Sequence, residues 1–247
     1  MFESSVIVTG GRSPIAMAIA EKLSARSKVI LLTRNSKNPF LRDYPFNQNV
    51  VVTEFDLLED SFIDHFQELV HEHDVSKLCF AHKLNSSSYS KVERLLGEVV
   101  RTTELIEELV RIKKEEVEKK VVLLTSPAST LVVGDQDCFY HVNKASLSAI
   151  VRYFAVTYGS QNLAINALAP GSFVTKERSK QFYLNNPNLY QQIISTIPSR
   201  KFTTPSHISV YVDFLIHSAP ITLNGTELVM DSGLTLIEQS KFARKDS

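Results

Sequence analysis

In the run Tyr140-His141-Val142-Asn143-Lys144, a phenol and an ammonium stand four positions apart. On a helix such residues share a face, so both head groups point into the same space. A neighbouring ammonium favours the phenolate and lowers the phenol's pKa, which makes Tyr140 a better proton donor near neutral pH. Upstream, Ser126 closes the apolar run in Leu124-Thr125-Ser126-Pro127. A hydroxyl at a strand end can reach the same crevice and hydrogen-bond a carbonyl oxygen. Ser126, Tyr140 and Lys144 are therefore the catalytic candidates. The chemistry they suit is general acid catalysis on a carbonyl.

A second group lies near the N-terminus. The apolar run Val6-Ile7-Val8 leads into Thr9-Gly10-Gly11-Arg12-Ser13-Pro14-Ile15-Ala16 and straight on into a helical pattern. A glycine-rich turn in that place lets backbone N–H groups and the positive helix end face a diphosphate. Arg12 lies in this turn, and Arg34 follows the second apolar run, where an NAD site would carry Asp or Glu for the ribose 2′-hydroxyl. Two guanidinium groups suit a 2′-phosphate instead, with Asn35 and Ser36 placed to add hydrogen bonds. The expected cofactor is NADP(H) in preference to NAD(H).

These residues need a frame. Apolar runs at 6–9, 29–32, 50–52, 78–81, 121–124, 164–168 and 227–230 read as buried strands. Helical patterns cover 14–25, 61–73, 92–118 and 139–158. Pro14 fits a first helical turn, where its missing N–H costs nothing. Alternation of continuously apolar strands with helices predicts a parallel sheet covered on both faces. The segment 172–205 breaks the rhythm and reads as a lid or substrate loop. Its Phe173, Phe182, Tyr183, Leu184 and Tyr190 suggest an apolar or aromatic small-molecule substrate. The helix over 139–158 carries Leu147, Ile150, Val151 and Phe154 as an expected second face for subunit contact.

Composition narrows the classes further. The chain has 247 residues, with 27 Lys+Arg balancing 27 Asp+Glu, which leaves no electrostatic footprint for nucleic acid or an anionic membrane. Its length and 43% hydrophobic share suit one domain over 1–247 with a full core. Two cysteines make no disulfide framework, and no stretch has the length of a membrane span or a signal peptide, so the expected location is cytoplasmic. His71 and His73 are two apart and do not share a helix face, so no metal is expected. The charge-mixed run 112–120 is expected to face water. Only 8 glycines occur, so a phosphate loop must be made with few of them.

Taken in order, several motifs resemble the short-chain dehydrogenase/reductase family over nearly the whole chain. They are Thr9-Gly10, Asp56-Leu57, Ser126, the Tyr140/Lys144 pair, Asn166-Ala167-Leu168-Ala169-Pro170-Gly171 with Thr175, and Gly225 with Asp231-Ser232-Gly233. The resemblance implies a Rossmann-type doubly wound α/β fold and a homodimer or homotetramer. It also implies an NADPH-dependent carbonyl (keto) reductase that interconverts a ketone and an alcohol. In that mechanism Tyr140 donates the proton, Lys144 holds the nicotinamide ribose and lowers the Tyr140 pKa, and Ser126 polarises the carbonyl. Cofactor contacts would come from Thr9, Gly10, Gly11, Arg12, Ser13, Ile15, Arg34, Asp56, Leu57, Ala81 and His82, then from Tyr140, Lys144, Pro170, Gly171, Phe173 and Thr175.

The chain departs from the family's pattern in three places. Pro14 and Ala16 stand where its cofactor motif has its second and third glycines. Phe80-Ala81-His82 replaces its Asn-Ala-Gly, which sets His82 beside the cofactor, either to bind phosphate or ribose or to cap the strand. No Asn occurs over 99–103, where the family's tetrad Asn would fall. The alternative is therefore a divergent member without redox turnover, acting as a binding subunit or in non-redox chemistry.

Overall fold

A computed structural model describes residues 4–134, 136–171 and 177–238. Seven parallel strands form one sheet in the order β3-β2-β1-β4-β5-β6-β7. They are β1 (Ser5–Thr9), β2 (Val29–Thr33), β3 (Val50–Glu54), β4 (Val75–Phe80), β5 (Lys119–Leu124), β6 (Leu163–Pro170) and β7 (Glu227–Met230). The order reverses between β1 and β4, and such a switch point opens a crevice at the carboxyl ends of the strands. This is the expected Rossmann-type doubly wound architecture.

The strands are largely apolar because both sheet faces are covered. One core cluster joins Ile7, Ile30, Leu78, Val121 and Ile165 to Phe66, Leu105, Leu109, Val151 and Phe154 of the helices on that face. The other joins Val6, Val8, Leu31, Cys79 and Val122 to Met17, Ile19, Leu23, Ile208 and Val212. The helices are α1 (Pro14–Leu23), a short α2 (Pro39–Arg42), α3 (Phe62–Glu72), α4 (Lys91–Leu95), α5 (Arg101–Ile112), α6 (Cys138–Tyr158), α7 (Glu177–Asn185), α8 (Pro187–Thr196) and α9 (Pro205–Asp213). Among the described residues, no helix is long and apolar enough to cross a membrane.

Four expectations need correction. The continuous helix over 92–118 is instead α4, a π-helical turn Leu96–Val100, and α5, which ends at Ile112. The run 112–120 does not all face water, since Lys119 and Lys120 begin β5 and are buried. Their aliphatic stems cross the core edge while Lys119 Nζ donates to the Lys114 and Val117 carbonyls and Lys120 Nζ to that of Ala219. On α6, Leu147, Val151 and Phe154 are buried in the chain's own core and Ile150 packs against it, so they form no second face. The exposed apolar residues of that helix are Val142, Tyr153 and Val156.

The fourth correction concerns 172–205. Within its described part, Glu177–Asn185 and Pro187–Thr196 are helical, as α7 and α8, and 197–204 is loop. Tyr183 stacks on Phe202 and Tyr190 meets it edge-on, over Ile194 and Ile197, which makes a small core of its own. Phe182 and Leu184 remain exposed. Phe173 and Thr175 lie outside the described residues.

Candidate active site

The turn after β1 is shaped by one glycine. Gly10 has φ of +87°, and a Cβ there would lie 2.8 Å from His82 Cα and 2.9 Å from the Ala81 carbonyl oxygen. Only glycine permits both that dihedral and that approach to the end of β4. Gly11 N donates to the Leu32 carbonyl oxygen at 2.9 Å and pins the turn to β2. Ser13 caps α1, its Oγ accepting from Ile15 N at 3.3 Å, and Pro14 occupies the first turn. Ala16 is fully buried in the core and Ile15 packs its side chain there too, so neither side chain fills the crevice.

Above this turn lies an open crevice of about 730 Å³. It is lined by Thr9, Gly10, Gly11, Arg12, Ser13 and Pro14 on the β1 side, by Arg34, Asp56 and Leu57 beyond, and by Ala81, His82 and Lys83 from β4. A helix N-terminus, a tight glycine turn and two guanidinium groups make a donor set that fits a dinucleotide diphosphate with an extra phosphate. Arg34 is oriented by Tyr89, whose ring centroid lies 4.7 Å from its guanidinium carbon. Ser36 is committed elsewhere, and Asn35 is committed through its carbonyl oxygen. Asn35 Oδ1 accepts from Lys37 N, while Ser36 N and Oγ both donate to Glu54 Oε1 at 3.0 and 2.8 Å. Those two bonds hold the Glu54 carboxyl below its ordinary pKa.

Asp56 Oδ1 accepts from Leu58 N at 3.0 Å in a local turn at the crevice that Asp56 lines. His82 is bonded on both ring nitrogens. Thr9 Oγ1 accepts from Ala81 N at 3.1 Å, so its hydroxyl donates to His82 Nδ1 at 2.7 Å. His82 Nε2 then carries the proton and donates to the Gly97 carbonyl oxygen at 3.1 Å. Burial drives its pKa down, which keeps this neutral tautomer. Its bonds tie the ends of β1 and β4 to the π-helical turn.

Asp137 caps α6, accepting from Tyr140 N at 2.9 Å, and it pairs with the buried Arg94 of α4. This contact fixes where the helix starts, and so where Tyr140 and Lys144 project. Lys144 is buried and its Nζ lies 5.9 Å from the Tyr140 ring centroid. It donates to the Leu124 carbonyl oxygen at 2.8 Å. Burial lowers its pKa to about 8, against the opposing pull of Glu98. Ser126 begins the 3-10 turn Pro127–Ser129, with its Oγ accepting from Ala128 N at 3.2 Å. Across the sheet edge, Gly171 N donates to the Met230 carbonyl oxygen at 2.8 Å. A Cβ on Gly171 would stand 2.7 Å from Asp231 Cβ, so the turn after Pro170 needs glycine for this close approach.

Three residues at the site were not legible in the sequence. Lys83 lines the crevice, and its Nζ lies 4.2 Å from the Tyr140 ring centroid, so Tyr140 has an ammonium beside it besides that of Lys144. Glu98 and Asn143 are buried next to Lys144. Their only sequence signal is weak: Asn143 precedes Lys144, and Glu98 is a charged residue in an apolar stretch.

The family profile described as Enoyl-(Acyl carrier protein) reductase matches residues 11–235. The chain belongs to the short-chain dehydrogenase/reductase family of oxidoreductases. It is 26% identical to glucose 1-dehydrogenase of Gluconobacter oxydans over 129 residues, covering 52% of this chain and 48% of that protein. It is 22% identical to the 3-oxoacyl-[acyl-carrier-protein] reductase MabA of Mycobacterium bovis over 242 residues, covering 93% of this chain and 92% of that one. The match to Gluconobacter glucose 1-dehydrogenase thus spans about half the length of that relative, whereas the MabA match is nearly end to end. Among solved structures, an ElxO variant with NADPH bound superposes with a TM-score of 0.80 at 16% identity, covering 95% of this chain and 99% of that one.

Proposed function

We propose that this chain is an NADP(H)-dependent carbonyl reductase acting on a small ketone, or on the alcohol in the reverse direction. One observation carries the proposal. Lys83 lines the crevice that holds Arg12 and Arg34 and also stands beside the Tyr140 ring, so the phenol–ammonium pair opens at the end of a phosphate-binding groove. When bound, the nicotinamide cofactor supplies the hydride. Tyr140 Oη gives its proton to the substrate oxygen as that oxygen becomes the alcohol. The Lys144 ammonium stabilises the phenolate left behind, and one of its protons is already committed to Leu124. Ser126 Oγ accepts from Ala128 N, which leaves its hydrogen to donate to the substrate carbonyl. Arg12 and Arg34 select the 2′-phosphate.

The same reading takes residues 1–247 as one dinucleotide-binding domain that works as a homodimer or homotetramer. The exposed Tyr153 and Val156 of α6 support subunit contact there. The free thiols of Cys79 and Cys138 support a cytoplasmic location. A titration that follows cofactor fluorescence tests the central point. NADPH should bind in the micromolar range, and NADH at least about tenfold more weakly if one charge-assisted contact is lost. Binding of neither nucleotide sinks the proposal. Light scattering that gives a monomer mass at micromolar concentration would sink the oligomer.

A further inference from the structure

The carboxylate of Glu98 is 3% exposed and lies in the π-helical turn Leu96–Val100 between α4 and α5. Burying a carboxylate is costly unless hydrogen bonds and a counter-charge offset the lost hydration. Both oxygens are used. Oε1 accepts from Leu84 N at 2.7 Å, and Oε2 accepts from Asn143 Nδ2 at 3.2 Å. Two accepted N–H bonds, one on each oxygen, suit the ionised form. The turn that presents this carboxylate is built for close approach. A Cβ on Gly97 would lie 2.7 Å from Leu84 Cδ1, and the Gly97 carbonyl is held by His82. Isolated π turns are found disproportionately at functional sites, because the extra residue re-aims a side chain.

Asn143, which Glu98 holds, directly precedes Lys144 on α6 and is itself 1% exposed. The Asn143 Oδ1 atom is buried without a hydrogen-bond partner. The amide is thus placed to serve Glu98 rather than to satisfy itself. The charged and titratable groups around the Lys144 ammonium are Glu98 from the π turn, Lys83 and His82 from the end of β4, and Tyr140 from its own helix. Lys83 opposes the charge on Lys144 and His82 is neutral, so Glu98 is the anion in this set.

We infer that Glu98 is a positioning residue: through Asn143 and by its own charge it is the buried counter-ion that keeps the Lys144 ammonium protonated beneath the Tyr140 phenol. The inference deepens the reductase proposal, since only a charged Lys144 can acidify the phenol. It also has a test that does not depend on turnover.

The test is an NMR titration of lysine side chains, 13C-labelled at Cε, in the cofactor-free protein. The Lys144 resonance is assigned by its loss in Lys144→Arg. In Glu98→Gln the amide oxygen can still accept from Leu84 N, and Asn143 can turn over to accept from the new NH2, so the change removes charge with little change of shape. The Lys144 midpoint should fall by at least about one pH unit, a tenfold loss of proton affinity, and Glu98→Asp should restore part of it. An unchanged midpoint in folded Glu98→Gln overturns the inference. Should that variant fail to fold, Glu98→Asp is read alone. Drawing the carboxylate back by one methylene should still lower the Lys144 midpoint, and no change overturns the inference. A shifted midpoint in a protein that binds no NADPH would leave the inference standing and remove the reductase proposal instead.

Discussion

Lys144 reaches from α6 across to the end of β5, where its Nζ donates to the Leu124 carbonyl oxygen at 2.8 Å. Leu124 lies two positions before Ser126, so one bond sets the distance between the helix that carries the phenol and the strand that carries the hydroxyl. It also leaves the ammonium with donors to spare, since Lys has three and this bond uses one. Replacing Lys144 with Met keeps the stem and removes both the charge and the bond. Ketone reduction should be lost, and NADPH affinity should fall by about tenfold or more with one charge-assisted contact. Steady-state kinetics and a fluorescence titration on the same preparation check both.

Tyr140→Phe separates chemistry from binding. The ring and its contact with Lys83 are kept, and only the acid is removed. Turnover should drop by about 10²–10⁴-fold, the usual worth of a positioned acid, with NADPH affinity nearly unchanged. Undiminished ketone reduction in this variant would mean that another group delivers the proton.

The pH profile follows from Lys144. Its folded pKa of about 8 lies below the ordinary lysine value because burial disfavours the charge. Below that value the ammonium is present and kcat/KM for reduction should be flat; above it the rate should fall as the proton leaves. Stability runs the other way. Between about 8 and the ordinary lysine value the unfolded chain holds the proton and the folded chain does not, so this group's contribution to stability rises with pH across that window. Rate measurements and denaturant midpoints from pH 6 to 10 would show the two trends diverging.

Gly10→Ala tests the cofactor turn. At φ of +87° a side chain is strained in any surroundings, and here its Cβ would also meet the backbone of Ala81 and His82. The expected loss is about 1–3 kcal/mol or more, read as a lower melting temperature, together with lost NADPH binding. Unchanged stability would mean that the β1 turn relaxes away from β4.

Arg34 is held against Tyr89 at the rim of the crevice, where a 2′-phosphate would lie. Arg34→Glu should weaken NADPH by about 10–100-fold, the worth of one or two charge-assisted bonds, while NADH is little affected or gains. Parallel loss of both nucleotides would assign Arg34 to the diphosphate rather than to specificity.

The sheet was legible because each strand is a short apolar run with turn residues at its ends. Every strand predicted from pattern appears, with ends shifted by a few residues. Helix α6 and its Tyr140/Lys144 pair were equally plain, since helical spacing is a local property. Helices α7 and α8 inside 172–205 were not legible because Tyr183 and Tyr190 are held by Phe202, which follows both helices in the chain. The expected subunit face of α6 failed for a related reason. Periodicity shows that Leu147, Val151 and Phe154 lie together, yet whether the sheet or another subunit covers them depends on where the helix docks.

Local pattern alone determined the alternation of strands and helices, the glycine turn after β1, and the one-turn spacing of phenol and ammonium, because each depends on neighbours a few bonds away. Tertiary packing decided the rest. Lys83 comes to the Tyr140 ring because β4 ends where α6 begins, and Glu98 is buried where the π turn at Gly97 closes on Leu84. The charge on Lys144 therefore depends on groups 46 or more positions away in the chain, namely Glu98 at 98 and Lys83 at 83. Burial and long-range contact, which give a buried charge its energy, have no signature within any one segment.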